Sequence, residues 1–92
     1  MIGSFRNRGL QLLFTLGKEL EFKSIDAQRI IKVLDVVDLV SSPRDATFVG
    51  VRYDEWMEGN EKRYGIMVSD HWLVSFGWSE VHAIDVDLER ID

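Results

Sequence analysis

The sequence predicts an α+β fold in which an N-terminal strand and two helices pack on a C-terminal antiparallel sheet. Apolar residues recur at helical spacing before Pro43, whereas after it they alternate with polar residues as they do in strands. Short polar turns separate the alternating segments, and strands joined by short loops lie antiparallel. A chain of 92 residues has the size of one domain. We therefore treat residues 1–92 as a single domain.

The N-terminal part is predicted to form a short edge strand and a helix. Residues 1–5 are apolar enough for the strand. In the segment RGLQLLFTLG that follows, leucine and phenylalanine occur at helical spacing. Asn7 is a candidate N-cap and Gly17 a candidate C-terminal glycine. The first helix is therefore expected near residues 8–17.

A second helix is predicted from Ser24 to the sequence Ser-Ser-Pro that ends at Pro43. Asp26 favours its first turn, because a carboxylate opposes the positive end of the helix dipole. Further valines widen the apolar stripe and indicate burial against more than one neighbour, although a helix that exposes the stripe to a partner is an alternative. The stripe comprises Ala27, Ile30, Ile31, Leu34, Val37 and Ser41.

Four strands are predicted after Pro43, at residues 48–53, 63–68, 72–78 and 81–88, with a polar loop at 56–62. In the strand WLVSFGW the aromatic residues share one face with Val74, and this face is predicted to be core. The opposite face consists of Leu73, Ser75 and Gly77. We expect it to be a flat, neutral surface that is open to solvent, a ligand or a partner.

The charge of the chain is unevenly distributed. Residues 1–32 carry a net charge of +3 and residues 33–92 a net charge of −8, which together give −5. Surfaces that bind nucleic acid through phosphates need clustered lysine and arginine, so the acidic part is unfavourable for such a surface. An ordinary acidic surface is the alternative explanation.

The residue content also limits the chemistry. The chain has no cysteine and two histidines, which excludes disulfides and thiolate chemistry and gives no support for a zinc site, so neither a metal nor a cofactor is expected. The sequence contains neither a signal peptide nor an apolar run long enough to span a membrane, and we expect a cytoplasmic protein without membrane contact.

Three motifs occur in the order seen in one family of bacterial proteins: MIGSFRNRGLQLLF, LDVVDLVSSPRD and YGIMVSDHWLVSFGW. With these motifs the whole chain resembles the HigB branch of the RelE/ParE toxin superfamily, the plasmid maintenance killer type. The resemblance implies the toxin of a type II toxin–antitoxin pair. Such a toxin is an mRNA interferase, an endoribonuclease that cuts messenger RNA on the ribosome, and its partner is a helix-turn-helix antitoxin.

The positions that match the catalytic residues of the family are substituted. Asp54 stands where the family has histidine, Met57 where it has lysine, Leu73 where it has arginine, and Asp92 where it has the terminal histidine. Removal of one well-placed donor that stabilises transition-state charge costs about 10²- to 10³-fold in rate. Cleavage of mRNA through the family's residues is therefore not expected.

A relocated catalytic site would have to use other residues. The candidates are Arg52, Lys62, Arg63 and His71, which supply cations and one general base.

Other features suit a partner protein. Trp56 and Met57 are large apolar residues in a segment predicted to be a polar loop. Either they fold back onto the sheet beside the core, or they form a contact patch for a partner, which is the interpretation we prefer. Asp85, Asp87 and Glu89 alternate along the last strand; this is either a solvated strand face or an acidic stripe for a basic segment. Three hypotheses of function result: a toxin that cleaves mRNA, a toxin-fold protein that only binds an antitoxin-like partner, and a toxin with another target.

Overall fold

A computed structural model of the chain describes residues 1–18, 22 and 24–91. It confirms the α+β class, with two helices and a four-stranded antiparallel sheet. The elements are α1 (Arg8–Leu16), α2 (Ser24–Leu39), a 3-10 turn (Pro43–Asp45), β1 (Tyr53–Glu58), β2 (Glu61–Met67), β3 (Trp72–Ser79) and β4 (His82–Arg90).

Both predicted caps of α1 are confirmed. The Asn7 side chain accepts a hydrogen bond from the Leu10 backbone N–H at 3.0 Å, which satisfies one free donor of the first turn. Gly17 ends the helix with φ 68°, a left-handed conformation that glycine adopts without a steric cost. These caps fix the ends of a helix whose Leu10 and Leu13 are buried.

The apolar stripe of α2 faces the core, as predicted. Ala27, Leu34 and Val37 are fully buried, and Ile30 and Val33 nearly so. The stripe is buried from two sides, because α2 contacts α1 as well as β3 and β4. The alternative of a helix that exposes its apolar stripe to a partner is therefore wrong.

The four strands form a meander in the order β1-β2-β3-β4. The start of the meander was predicted wrongly, because residues 53–58 are strand β1, whereas the prediction placed the strand at 48–53 and a loop at 56–62. The segment YDEWME has little apolar alternation, yet a two-residue turn at Gly59 and Asn60 pairs it with β2 from Tyr53↔Ile66 to Glu58↔Glu61. Cross-strand pairing here overrides the weak local pattern.

Residues 1–5 run parallel to β4 and form two isolated bridges, Ile2↔Ala83 and Phe5↔Val86, where a continuous edge strand was expected. Between these bridges β4 has an irregularity at Asp85, whose φ is 49°. The N-terminal segment covers one edge of the sheet, and β1 lies at the other end of the strand order.

The sheet has a helical face and an open face. The helical face carries the core, with Ile66, Val74 and Phe76 fully buried under the helices. We define the open face as the opposite side. Paired residues share a face, and the registers place on this side Asp54, Trp56, Glu58, Glu61, Arg63, Gly65, Met67, Leu73, Ser75, Gly77, Ile84, Asp87 and Glu89.

The open face is closed to solvent at its centre, so the prediction of a flat, solvated surface is wrong. Leu73 is 8% exposed, Ser75 is 0% exposed, and Gly77 is buried. Long side chains from neighbouring strands lie over these small residues. A Cβ atom on Gly65 would be 2.8 Å from the Trp56 ring, and one on Gly77 would be 3.7 Å from the Arg63 guanidinium.

Candidate functional site

The open face has a buried arginine at its centre. Arg63 is 2% exposed, and its Nη2 donates a hydrogen bond of 2.8 Å to the Ser75 hydroxyl. Burial lowers the pKa of its guanidinium, and the charge of Arg6 adds to this, whereas the carboxylates of Glu58 and Glu89 oppose it. A buried charge is costly unless it is compensated. These carboxylates therefore allow Arg63 to lie inside the protein.

The carboxylates compensate the charge of Arg63 mainly through their proximity and less through hydrogen bonds. Arg63 Nε lies 3.5 Å from Glu58 Oε2, and Nη2 lies 4.0 Å from Glu89 Oε2. Within the described residues, the buried Arg63 Nε and Glu89 Oε2 atoms make no hydrogen bond. Arg6 of the N-terminal segment lies 3.5 Å from Glu58, which it shares with Arg63, and 4.0 Å from Asp87. The cations on this face are thus surrounded by the protein's own carboxylates.

Two of the substituted family positions line one small cleft. This cleft has a volume of about 290 Å³ and is lined by Asp54, Trp56 and Leu73, together with Arg52, Glu55 and Ile91. Leu73 is buried there, at a position where the resemblance implies a cation. Among the described residues Arg52 is the one cation of the lining, and its Nε is paired with Asp54 at 2.9 Å. The cleft therefore has no net positive charge.

Of the two remaining substituted positions, the structure describes Met57, which lies outside this cleft. Met57 is on β1 opposite Lys62 and is 61% exposed. Because Met57 is one residue away from Trp56 along a strand, the two side chains point to opposite faces. The predicted contact patch is thus divided, with Trp56 half-buried over Gly65 and Met57 on the surface. Asp92 lies outside the described residues.

Lys62 belongs to a different network, centred on Glu55. The Glu55 carboxylate accepts hydrogen bonds from Arg44 at 2.9 Å and from the Tyr53 hydroxyl at 2.8 Å, and it pairs with Lys62 Nζ at 2.7 Å. Hydrogen bonds from Arg44, Lys62 and Tyr53 lower the pKa of Glu55 to about 2. The pKa of Tyr53 is raised, first by burial and then by its hydrogen bond to Glu55. Lys62 is thus a counter-ion of Glu55.

The four candidates for a relocated catalytic site are not brought into one cluster. Lys62 and Arg63 are neighbours in β2, so their side chains point to opposite faces of the sheet. Arg52 is on the exposed segment before β1, and His71 is exposed in the turn between β2 and β3. His71 contacts the C-terminal segment through its backbone: its carbonyl accepts a hydrogen bond of 2.6 Å from the Ile91 backbone N–H.

A second concave region, which we call the α2 groove, was not predicted from the sequence. It has a volume of about 480 Å³ and lies between α2, the segment before β1 and the end of β2. Within the part of the chain that the structure describes, its cations are Arg29, Lys32 and Arg52, and its one acid is Asp70. One feature of the sequence could have indicated this groove: Arg29 and Lys32 are three residues apart, which places both on one side of α2.

Metal binding and membrane insertion also bear on the kind of site. Across residues 1–18, 22 and 24–91, no three His, Asp or Glu side chains are grouped as metal ligands. None of the helices in this part of the chain has the length and apolarity needed to cross a membrane.

Comparison with known proteins does not identify the chain. No protein-family model matches it, and no curated protein matches it significantly. The resemblance to HigB-like toxins therefore depends on the motifs in the sequence and stays a prediction.

Proposed function

We propose that this chain is a toxin-fold protein of a HigB-like toxin–antitoxin pair, and that it acts by binding a helix-turn-helix antitoxin protein without cutting mRNA at the position used by its family. One observation carries this proposal. Where the resemblance implies cations that would hold RNA, the cleft has Asp54 and a buried Leu73.

The charges around this cleft support the same conclusion. Asp54, Glu58, Asp87 and Glu89 are four carboxylates on the open face. The buried Arg63 is compensated by Glu58 and Glu89, so it has little charge to offer a phosphate. RNA binding gains its affinity from lysine and arginine that neutralise phosphates. A face of this kind repels an RNA backbone.

Cleavage of mRNA through Arg52, Lys62, Arg63 and His71 is the second candidate, and the geometry disfavours it. General acid–base catalysis and charge stabilisation require groups that converge on one phosphate. Lys62 and Arg63 point to opposite faces of the sheet, and each is already compensated by carboxylates.

The test compares the chain with a variant in which the family's cations are restored, Met57→Lys, Leu73→Arg and Asp92→His. A matched control carries Met57→Leu, Leu73→Met and Asp92→Asn, which change the same positions without adding a positive charge. Each protein is expressed in bacteria while growth and the 5′ ends of mRNA are followed, and circular dichroism checks that each variant folds.

We expect the unmodified chain and the control to leave mRNA intact. We also expect the unmodified chain to form a stable complex with a helix-turn-helix protein encoded beside it, measured by co-expression and gel filtration. If the unmodified chain arrests growth and cuts mRNA, the proposal that it acts without cutting mRNA is contradicted. The absence of any such neighbouring protein, or of a complex with it, would contradict the toxin–antitoxin assignment. Growth arrest with intact mRNA would favour the third hypothesis, another target.

A further inference from the structure

The α2 groove contrasts with the open face because its helix cations are uncompensated. Arg29 and Lys32 are exposed, and neither forms an ion pair with any residue of the described chain. Arg52 pairs with Asp54, but its side chain is 69% exposed. An exposed pair of this kind contributes little and can be exchanged for another carboxylate. Three cations against Asp70 give the lining a net positive charge in a chain of net charge −5.

The groove is also apolar at its base. Val33, Phe48, Val51 and Met67 line it, and the neighbouring Val49 is fully exposed. Gly50, with φ 78°, turns the chain between the two valines, and the Val51 backbone N–H donates a hydrogen bond of 3.2 Å to the Phe48 carbonyl. This turn presents Val51 to the groove and leaves Val49 exposed beside it. Exposed apolar surface bordered by charge is typical of binding sites for other proteins.

We propose that the α2 groove binds an acidic segment of a partner protein, with apolar side chains of that segment against Val33, Phe48 and Val51 and its carboxylates on Arg29 and Lys32. This inference rests on the proposed function, since the partner in question is the antitoxin-like protein. Complementary charge raises the association rate and fixes the orientation of such a segment.

The observations favour a peptide over RNA. Single-stranded RNA is held by cations along its backbone and by aromatic rings that are free to stack on bases. Within the described residues the lining has one aromatic side chain, Phe48, which is partly buried against the hydrophobic core, so it offers no series of rings for successive bases. The aliphatic lining instead matches apolar side chains, and the volume of about 480 Å³ lies within the range of about 300–1,000 Å³ found for binding pockets.

The first part of the test uses four labelled probes and fluorescence anisotropy. The probes are a peptide of leucine and glutamate at amphipathic spacing, the same peptide with lysine for each glutamate, the same peptide with serine for each leucine, and a 12-nucleotide RNA. We expect the leucine–glutamate peptide to bind at least about tenfold more tightly than each of the others. Equal binding of the lysine peptide or of the RNA would overturn the proposal.

Charge reversal locates the binding. Arg29→Glu combined with Lys32→Glu is expected to weaken binding of the leucine–glutamate peptide by at least about tenfold. The matched control, Arg8→Glu with Lys18→Glu, changes the net charge equally at exposed positions outside the groove and is expected to bind like the unmodified chain. If both variants lose binding equally, the attraction is non-specific and the proposal is wrong.

The same two variants separate this inference from the proposed function. They are mixed with the helix-turn-helix partner, and complex formation is measured by isothermal titration. If the partner binds the unmodified chain and the groove variant equally well, the groove inference fails while the proposed function stands. If no partner binds at all, the proposed function fails, and the peptide probes decide the groove by themselves. Sedimentation measures whether the chain associates with itself. If it does, and the groove variant does not, the segment that occupies the groove belongs to a second copy of this chain, and the proposed partner is wrong.

Discussion

The open face and the α2 groove both contain arginine, but the charge is compensated differently in the two regions. Arg63 is buried, bonded to Ser75 and surrounded by carboxylates. Arg29 and Lys32 are exposed and unpaired within the described chain. Burial removes the water that would stabilise a guanidinium, so the protein must supply counter-charges itself. A buried cation therefore serves folding, whereas an exposed, unpaired one is free to attract a partner.

The largest expected effect comes from Arg63→Ala. The substitution leaves a void over Ser75 and Gly77, removes the hydrogen bond to Ser75, and leaves Glu89 without its cation and Glu58 with Arg6 alone. Removal of one partner of a buried ion pair costs about 3–5 kcal/mol, and we expect a loss near about 3 kcal/mol because both acids reach solvent. Urea denaturation at pH 7 measures the change in the free energy of unfolding.

Two controls accompany this measurement. Arg63→Met fills the void without a charge and is expected to cost less, about 1–2 kcal/mol. Arg52→Ala removes an exposed arginine with an exposed partner and is expected to change stability by less than about 0.5 kcal/mol. If Arg63→Ala lowers the free energy of unfolding no more than Arg52→Ala does, the buried Arg63 does not stabilise the fold more than an exposed arginine.

A smaller loss is expected from Gly65→Ala, which tests how the open face is closed. The added Cβ would lie 2.8 Å from the Trp56 ring and 3.1 Å from Leu73 Cδ1, so the ring has to move. Overpacking of this kind costs about 1–3 kcal/mol. In a Trp56→Ala background the closest contact is absent, and the same substitution is expected to cost about 1 kcal/mol less. An equal cost in both backgrounds, measured by thermal unfolding, would show that Trp56 does not cover Gly65.

The parts of the fold that sequence could predict are those with a strong local pattern. The helices follow from Asn7, Gly17 and the apolar stripe of α2, each of which acts within a few residues. β1 was missed because YDEWME is held by cross-strand pairing with β2, which no local pattern encodes. The bridges of Ile2 and Phe5 with β4 are likewise contacts between distant parts of the chain.

The sites were less predictable for the same reason. Alternation correctly placed Leu73, Ser75 and Gly77 on one face, but their burial depends on Trp56 and Arg63 from other strands. In the sequence, Arg63 cannot be distinguished from an ordinary surface cation. The structure shows that its charge is compensated, because Glu58 and Glu89 lie close to it. The α2 groove joins residues far apart in the chain, such as Lys32 and Met67.

Acid titration tests the Glu55 network, in which the cations compensate an acid close to the surface. The expected change in stability is smaller than those above, because the network is close to solvent. The pKa of Glu55 falls from 4.5 to about 2 on folding, so its contribution to stability is complete above pH 4.5 and is lost as the pH falls towards 2. The stability difference between the unmodified chain and Glu55→Gln is therefore expected to shrink across this interval. Urea midpoints measured from pH 7 to pH 2 follow it.

Glu61→Gln is the matched control for this titration, because Glu61 is an exposed carboxylate without an ion pair in the described chain. We expect the acid limb of its stability curve to follow that of the unmodified chain. A stability difference for Glu55→Gln that stays constant from pH 5 to pH 2 would mean that the contacts with Arg44, Lys62 and Tyr53 do not stabilise the fold in solution.

A small effect is expected from Arg29→Glu with Lys32→Glu, the variant that should weaken peptide binding. Both side chains are exposed and unpaired within the described residues, and the local cost is repulsion along α2 between Asp26 and residue 29, between residues 29 and 32, and between residue 32 and Asp35. Like charges at this spacing cost about 0.2–0.5 kcal/mol per pair, so the three pairs together cost about 1 kcal/mol. Urea denaturation beside Arg29→Gln with Lys32→Gln separates this repulsion from any loss of contacts. A loss above about 1 kcal/mol in both variants would mean that these cations support the fold as Arg63 does. The α2 groove and the open face would then be alike, and the charge of the groove would no longer indicate a partner.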